Sequence, residues 1–123
     1  MKEDFSAALT IQELRLDRIT KDQVKKEGLE FLARLSQSLH QDSSSSTIIK
    51  PPEEFHLHDM KFCDYELGSP NDRRRIVVFG ARGKFYECET VALKKPSSAD
   101  GFIRLFTIQQ SFLASLTVYG SSS

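Results

Sequence analysis

The stretch RRRIVVFGARGKFYECETVAL, residues 73–93, decides the fold because it contains two strands and the turn between them. Its first half carries the apolar, β-branched run Ile76-Val77-Val78, which is typical of a buried strand. The segment 80–83 supplies two glycines, which adopt a positive φ at no steric cost and favour a tight hairpin turn. Residues 84–93 follow as the partner strand. This stretch therefore predicts an antiparallel β-hairpin.

Upstream of the hairpin, residues 55–67 alternate with the period of two that a half-buried strand shows. Met60 and Phe62 break this alternation, so a bulge near 59–61 and a pair of short strands both fit. The turn cluster 68–72 then leads into the hairpin. Together these segments predict a three-stranded antiparallel meander. The apolar residues of one parity are Phe55, Leu57, Cys63, Tyr65 and Leu67.

Helical periodicity appears in the sequence before and after the predicted sheet. Residues 21–40 carry one apolar stripe with spacings of three and four, which predicts a single amphipathic helix. A capping-box pattern at Thr10–Glu13 predicts a short helix over about 10–18. Near the C-terminus the spacing favours a helix from about 100 to 116, and a strand within 102–119 stays open.

These elements predict one α+β domain. Its fold class is a two-layer sandwich, with the N-terminal helix or helices and the C-terminal helix on one face of the three-stranded meander. The chain divides into an N-terminal segment 1–20, the amphipathic helix 21–40, a Ser/Pro-rich linker 41–54, and the sheet with its last helix at 55–119. Three strands leave two sheet edges that must be covered, charged or paired with another chain.

Composition excludes several classes of protein. The 123 residues include 17 basic and 17 acidic side chains, and this balance excludes a generically polybasic nucleic-acid binder. No apolar run reaches the length of a membrane span, so we expect no membrane partner. Two cysteines are too few for a disulfide scaffold and are expected as reduced thiols, although one bridge stays open. We expect an intracellular protein, cytoplasmic or nuclear.

The neutral total hides a local asymmetry of charge. Residues 51–67 hold one basic and five acidic side chains, whereas residues 68–96 hold seven basic and three acidic ones. One interpretation is cross-strand ion pairing, because antiparallel neighbours place opposite charges side by side. The other is a phosphate-binding patch on the hairpin, with a base stacked on its exposed tyrosine. The candidate binding residues are Arg73, Arg74, Arg75, Arg82, Lys84, Tyr86, Lys94 and Lys95.

His56 and His58 are the weak candidates for a metal site. Alternate positions on a strand share one face, and two imidazoles together with a carboxylate suit zinc. No third or fourth ligand stands at a recognisable spacing, so the sequence predicts no metal and no cofactor. The phosphate-binding, zinc-protease and hydrolase motifs GxxxxGK[ST], GxGxxG, HExxH and GxSxG are all missing from the sequence. We therefore favour a non-enzymatic protein and predict no catalytic residue.

Two RNA-related families share parts of the predicted order. In size, in helices before a meander, and in the residue types of 73–86, the chain resembles ribosome-dependent messenger-RNA interferases. Its predicted helix–three strands–helix order resembles the double-stranded RNA-binding domain, with Lys94-Lys95 at the basic entry to the last helix. Both are resemblances of topology, and they imply RNA as a partner.

The leading hypothesis is a small protein-interaction or regulatory module that acts through a sheet edge, a helix face or the basic hairpin. We expect a protein partner or self-association. The alternative is an RNA-binding or RNA-cleaving protein that uses the hairpin at 73–95.

Overall fold

Five antiparallel strands and three helices make up the fold, and helices cover both faces of one sheet. The computed structural model describes residues 7–44, 47–69, 72–92 and 99–120. The elements in chain order are β1 (Ala7–Leu14), α1 (Arg18–Glu27), α2 (Leu29–Ser44), β2 (Thr47–Leu57), β3 (Met60–Ser69), β4 (Asp72–Ala81), β5 (Lys84–Ala92) and α3 (Ala99–Gly120).

The sheet has the strand order β1-β5-β4-β3-β2, and every neighbouring pair is antiparallel. The chain therefore forms one edge with its first strand, passes through two helices to the opposite edge, and returns strand by strand. The predicted three-stranded meander with N-terminal helices is wrong, because two further strands flank it. The resemblances to the two RNA-related families depended on that meander and lose their basis with it.

The first of these strands replaces the predicted helix over 10–18. Residues Ala7–Leu14 pair in unbroken register with β5, from Ala7 opposite Ala92 to Leu14 opposite Phe85. A capping box is a local signal, and pairing with a neighbouring strand overrides it here. The helix begins later, where the Oδ1 atom of Asp17 accepts a hydrogen bond of 2.7 Å from the backbone N–H of Thr20.

The second added strand lies where a linker was predicted. Helix α2 continues to Ser44, and β2 occupies 47–57, so residues 41–54 are divided mostly between two regular elements. Pro51-Pro52 lies inside β2, which is possible because β2 is an edge strand and because its register with β3 is interrupted between Lys50 and Glu53. The period-two segment accordingly belongs to two strands joined by a turn at His58-Asp59, so a pair of strands and not a bulge explains the break in the alternation.

The predicted single helix over 21–40 is two helices. Gly28 ends α1 with φ +99°, and its N–H donates to the carbonyl of Val24 at 2.7 Å. This backbone conformation favours glycine, so the residue interrupts the helix rather than continuing it. The apolar stripe is also interrupted, since Leu39 is 68% exposed.

Two apolar cores lie on the two faces of the sheet. Beneath α1 and α2, the core contains Leu32, Tyr65 and Ile76, and beneath α3 it contains Val77 and Leu113. The predicted two-layer sandwich is therefore corrected to three layers, with the sheet in the middle. The predicted C-terminal helix is confirmed as α3. Among the described elements, no helix has the length and apolar character needed to cross a membrane.

Candidate interaction surface

The outer edge of β1 is the most open part of the sheet. Among the described elements, none pairs with this side of β1, whose neighbour on the other side is β5. Residues 10–13 are exposed, the strand contains no proline, and Glu13 is its single charged residue. An uninterrupted edge of this kind presents a row of backbone donors and acceptors to any further strand.

The opposite edge is closed by its sequence. Pro51-Pro52 removes two backbone donors from β2, and the register with β3 shifts between Ile48 and Lys50 and again between Lys50 and Glu53. The strand also contains the charged residues Lys50, Glu53 and Glu54. Proline, irregular register and charge are the devices by which natural sheets prevent further pairing. Only one of the two edges is therefore suited to accept a strand.

A groove of about 360 Å³ begins beside the open edge, on the face that α3 partly covers. Ile11 of β1, Tyr86 of β5 and Leu116 of α3 line it. Ile11 is 43% exposed, which is unusual for isoleucine in a sheet. We call this feature the β1 groove. Its remaining lining residues are Met60, Phe79, Ala81 and Arg82.

Exposed apolar side chains on α3 extend the β1 groove. Phe112 lies one helical turn before Leu116 and Ile108 two turns before it, so all three follow one side of the helix. Their exposed fractions are 36% for Phe112 and 49% for Ile108. Apolar surface thus continues from the β1 edge onto α3, as is common at protein-binding surfaces.

The three consecutive arginines do not form one cationic patch, because they point to alternate faces of β4. On the α3 face, Arg73 Nη2 lies 2.5 Å from Glu66 Oε1, and Arg75 Nε lies 2.9 Å from Asp64 Oδ2. On the opposite face, Arg74 Nη1 lies 3.0 Å from Glu89 Oε2. Each arginine is paired with a carboxylate of a neighbouring strand, so the prediction of cross-strand pairing is confirmed.

The remaining candidate residues of the hairpin are divided between two environments. Arg82 and Lys84 are exposed at the β4–β5 turn, and among the described residues neither has an ion-pair partner. Tyr86 is half-buried and stacks on Phe79 with ring centroids 5.5 Å apart, which makes it part of the β1 groove. Lys94 and Lys95 lie outside the described residues. That these residues bind phosphate stays a prediction.

The two histidines proposed as weak metal ligands are not neighbours on one strand face. His56 is exposed on β2, whereas His58 lies in the following turn with a positive φ of 54°. The Nδ1 atom of His58 forms a hydrogen bond with the hydroxyl of Thr117 on α3. This contact ties the turn to the helix and gives His58 a structural role.

A buried polar cluster beneath α2 joins the open edge strand to the rest of the fold. Glu87 is 3% exposed and accepts hydrogen bonds from Gln12 Nε2 at 2.7 Å and from Ser36 Oγ at 2.8 Å. His40 Nε2 lies 3.1 Å from the same carboxylate, and Tyr65 shares a 2.5 Å hydrogen bond with Ser36. One carboxylate on β5 thus holds β1 and α2, and through Ser36 it connects to β3. We call this set the Glu87 cluster.

Electrostatics in the Glu87 cluster favour an ion pair. The hydrogen bond with Glu87 raises the pKa of His40, and burial opposes this only in part. Burial of Glu87 acts to raise its pKa, but the hydrogen bonds from His40 and Ser36 outweigh it and lower that pKa. The protonated imidazole and the ionised carboxylate therefore stabilise each other.

The same region contains three groups with metal-binding atoms. One ligand atom each from His40, Glu87 and Glu89 lies within 4.8 Å of the others. These atoms are already engaged, since Glu87 accepts three hydrogen bonds and Glu89 pairs with Arg74. The three side chains therefore form a polar network with its hydrogen bonds satisfied, and we do not assign a metal site to them.

Sequence reasoning missed both the open edge and the Glu87 cluster. Thr10 and Ile11 are β-branched and mark a strand, but the capping-box pattern competed with that signal. The cluster joins residues 12, 36, 40 and 87, which are far apart in the chain, and no local spacing predicts such contacts.

No family model, curated protein or solved structure matches this chain.

Proposed function

We propose that this protein is an interaction module that binds an extended strand of a partner at the edge of β1. The observation that supports it is the contrast between the two sheet edges. β1 offers eight residues in regular register with one charge, whereas β2 carries Pro51-Pro52 and two shifts of register. A fold that closes one edge and leaves the other open favours pairing at the open one.

Strand addition explains both parts of the surface. Backbone hydrogen bonds along β1 supply affinity, and pockets beside the edge select side chains at alternate positions of the added strand. The β1 groove is such a pocket, and it is lined by Ile11 and by other, mostly apolar side chains. A bound strand with alternating apolar residues covers the exposed side chain of Ile11.

The buried polar groups support a role in binding rather than in catalysis. Ser36, Tyr65, His40 and Glu87 are the residues whose chemistry is closest to that of a catalytic set. They hydrogen-bond to one another and to Gln12 beneath α2, where they connect this helix to three strands of the sheet. Their common use is to hold β1 against the sheet, which keeps the open edge straight.

Peptide display tests the proposal directly. The wild-type protein, Ile11→Lys and Ile48→Lys are used as baits against a library of random ten-residue peptides. Ile48 is the matched control because it is 46% exposed on the closed edge, against 43% for Ile11. Lysine on an edge strand opposes pairing, so we expect the Ile11→Lys bait to weaken binding about tenfold or more.

The position of the bound peptide provides the second readout. Hydrogen exchange of the complex is expected to slow at the amides of residues 8–14 and to stay unchanged along β2. Enriched peptides that bind Ile11→Lys as tightly as the wild type, or that protect β2 instead, would exclude the β1 edge as the site.

RNA binding by the hairpin at 73–95 has less support. Arg73, Arg74 and Arg75 are each neutralised by a carboxylate, which leaves Arg82 and Lys84 as cations without an ion-pair partner among the described residues of the hairpin. We expect single-stranded RNA to show no mobility shift at about 50 mM salt, where backbone contacts are strongest. A salt-dependent shift that disappears in an Arg82→Ala/Lys84→Ala double variant would favour RNA over the protein partner.

A further inference from the structure

We infer that the strand accepted by the β1 edge is β1 of a second copy of this chain, so that two sheets join into one of ten strands. The inference rests on the proposed function, since it names the partner for the same edge. The two copies are related by a two-fold axis perpendicular to the sheet and centred on Thr10. This arrangement keeps the α3 faces of both copies on the same side.

The sequence of β1 is self-complementary in this register. Leu9 faces Ile11 of the second copy, and Ile11 faces Leu9 in return, so two apolar pairs lie on the α3 face. On the other face Thr10 lies opposite its own copy, and threonine pairs are favourable across antiparallel strands. Glu13 lies opposite Ala7, so no two carboxylates oppose each other.

Pairing covers the apolar residue that the monomer leaves exposed. Ile11 is 43% exposed in the single chain and lines the β1 groove. Addition of the second β1 strand places an apolar side chain directly beside it and joins the grooves of the two copies. Centring the axis on Glu13 instead would set two carboxylates opposite each other, which is unfavourable.

The closed edge of β2 limits this assembly to two copies. A chain with two open edges could pair at both of them and form an open-ended fibre. Here Pro51-Pro52 and the shifted register of β2 prevent a third copy from adding. The product is a closed dimer whose two outer edges are both β2.

Sedimentation equilibrium of the full chain measures the assembly. Over about 1 to 200 μM we expect the wild type to approach twice the 14.0 kDa mass of one chain. Ile11→Lys is expected to raise the dimer dissociation constant about 100-fold, about tenfold for each changed copy. Ile48→Lys, on the closed edge, is expected to dimerise like the wild type. Circular dichroism confirms that both variants keep the fold.

Cysteine crosslinking tests the register. In the proposed dimer, Thr10→Cys places two thiols opposite each other, within the Cα separation of about 4.4–6.8 Å that a disulfide needs. Glu13→Cys is the matched control, because the two copies of that residue lie several positions apart. Mild oxidation is expected to give a covalent dimer for Thr10→Cys and none for Glu13→Cys. The native Cys63 and Cys88 are buried and do not interfere.

The outcomes separate this inference from the proposed function. A wild-type mass of one chain at all concentrations, a mass that grows without limit, or crosslinking through Glu13→Cys would overturn the dimer. If the chain is monomeric but display peptides still protect β1, the edge binds another protein and the proposed function stands. If neither peptides nor a second copy bind β1, both proposals fail.

Discussion

Replacement of Glu87 by glutamine is expected to destabilise the protein strongly, although the two side chains have nearly the same size. The carboxylate accepts hydrogen bonds from Gln12, Ser36 and His40. A carboxamide keeps one acceptor oxygen and turns an N–H₂ group towards the remaining donors. At least one donor then lacks its acceptor, and the others lose the charge on theirs.

The magnitude follows from these three bonds. Hydrogen bonds to a charged group contribute about 1.5–3 kcal/mol each, against about 0.5–1.5 kcal/mol for neutral ones. We expect Glu87→Gln to lower the free energy of unfolding by about 2–4 kcal/mol. A chain of 123 residues has an unfolding entropy near 0.26 kcal/mol/K, so the melting temperature falls by about 8–15 °C.

The pH dependence of stability provides a sharper test. The pKa of His40 is raised above its ordinary value of 6.5, mainly by the hydrogen bond with Glu87. Its ionic contribution is therefore complete below pH 6.5 and is lost as the pH rises through the raised pKa. The wild type is expected to lose stability over that range, and Glu87→Gln, which lacks the counter-charge, is expected to lose less.

Urea denaturation at half-unit steps from pH 5.5 to 8.5 measures both effects. Glu53→Gln is the control, because Glu53 pairs with Lys50 at 3.0 Å but its side chain is 70% exposed. We expect the control to cost no more than about 0.5 kcal/mol. A loss below about 0.5 kcal/mol for Glu87→Gln, with the pH dependence of the wild type unchanged, would refute the role of the cluster.

Three further predictions concern the packing of the fold. Asp64→Ala leaves the buried guanidinium of Arg75 without its carboxylate partner and is expected to cost about 3–5 kcal/mol in chemical denaturation, and a cost under 1 kcal/mol would contradict the pairing. At Gly28 there is room for the methyl group of Gly28→Ala, whose nearest contact would be at 3.8 Å. The φ of +99° is nevertheless expected to make this substitution cost about 1–3 kcal/mol in the same assay, and a neutral result would argue against the helix break. Burial raises the pKa of the Cys63 thiol to about 12 and also raises that of Cys88. A thiol reagent at pH 8 is therefore expected to label neither cysteine in the native protein and both in denaturant, and rapid labelling of the native protein would disprove their burial.

Sequence reasoning succeeded where local chemistry decides the structure. The hairpin at 73–93 was predicted because its glycines lie at the turn, and Gly83 does adopt a positive φ of 77°. The opposite-charge segments predicted cross-strand pairing, and Arg73 with Glu66 and Arg75 with Asp64 form those pairs. Both signals depend on residues that are close in the chain.

The errors arose where distant parts of the chain decide the structure. β1 is a strand because it pairs with residues 85–92, and nothing within residues 7–14 indicates that partner. The two-layer prediction assumed one solvated face, but Ile76-Val77-Val78-Phe79 is apolar at every position. Such a continuous run is typical of a sheet covered on both faces, so this signal was present in the sequence.

The alternate placement of Arg73, Arg74 and Arg75 has a consequence for how the chain finds its alignment. A slip of one residue along β4 would move Arg74 to the α3 face and turn Arg73 and Arg75 towards α2, where Glu89 takes the place of Asp64 and Glu66 as their nearest carboxylate partner. In the misaligned sheet two arginines would compete for Glu89, while Asp64 and Glu66 would share one arginine, and this imbalance disfavours it. The arginines thus favour the native alignment of β4, because in this register each of them meets its own carboxylate.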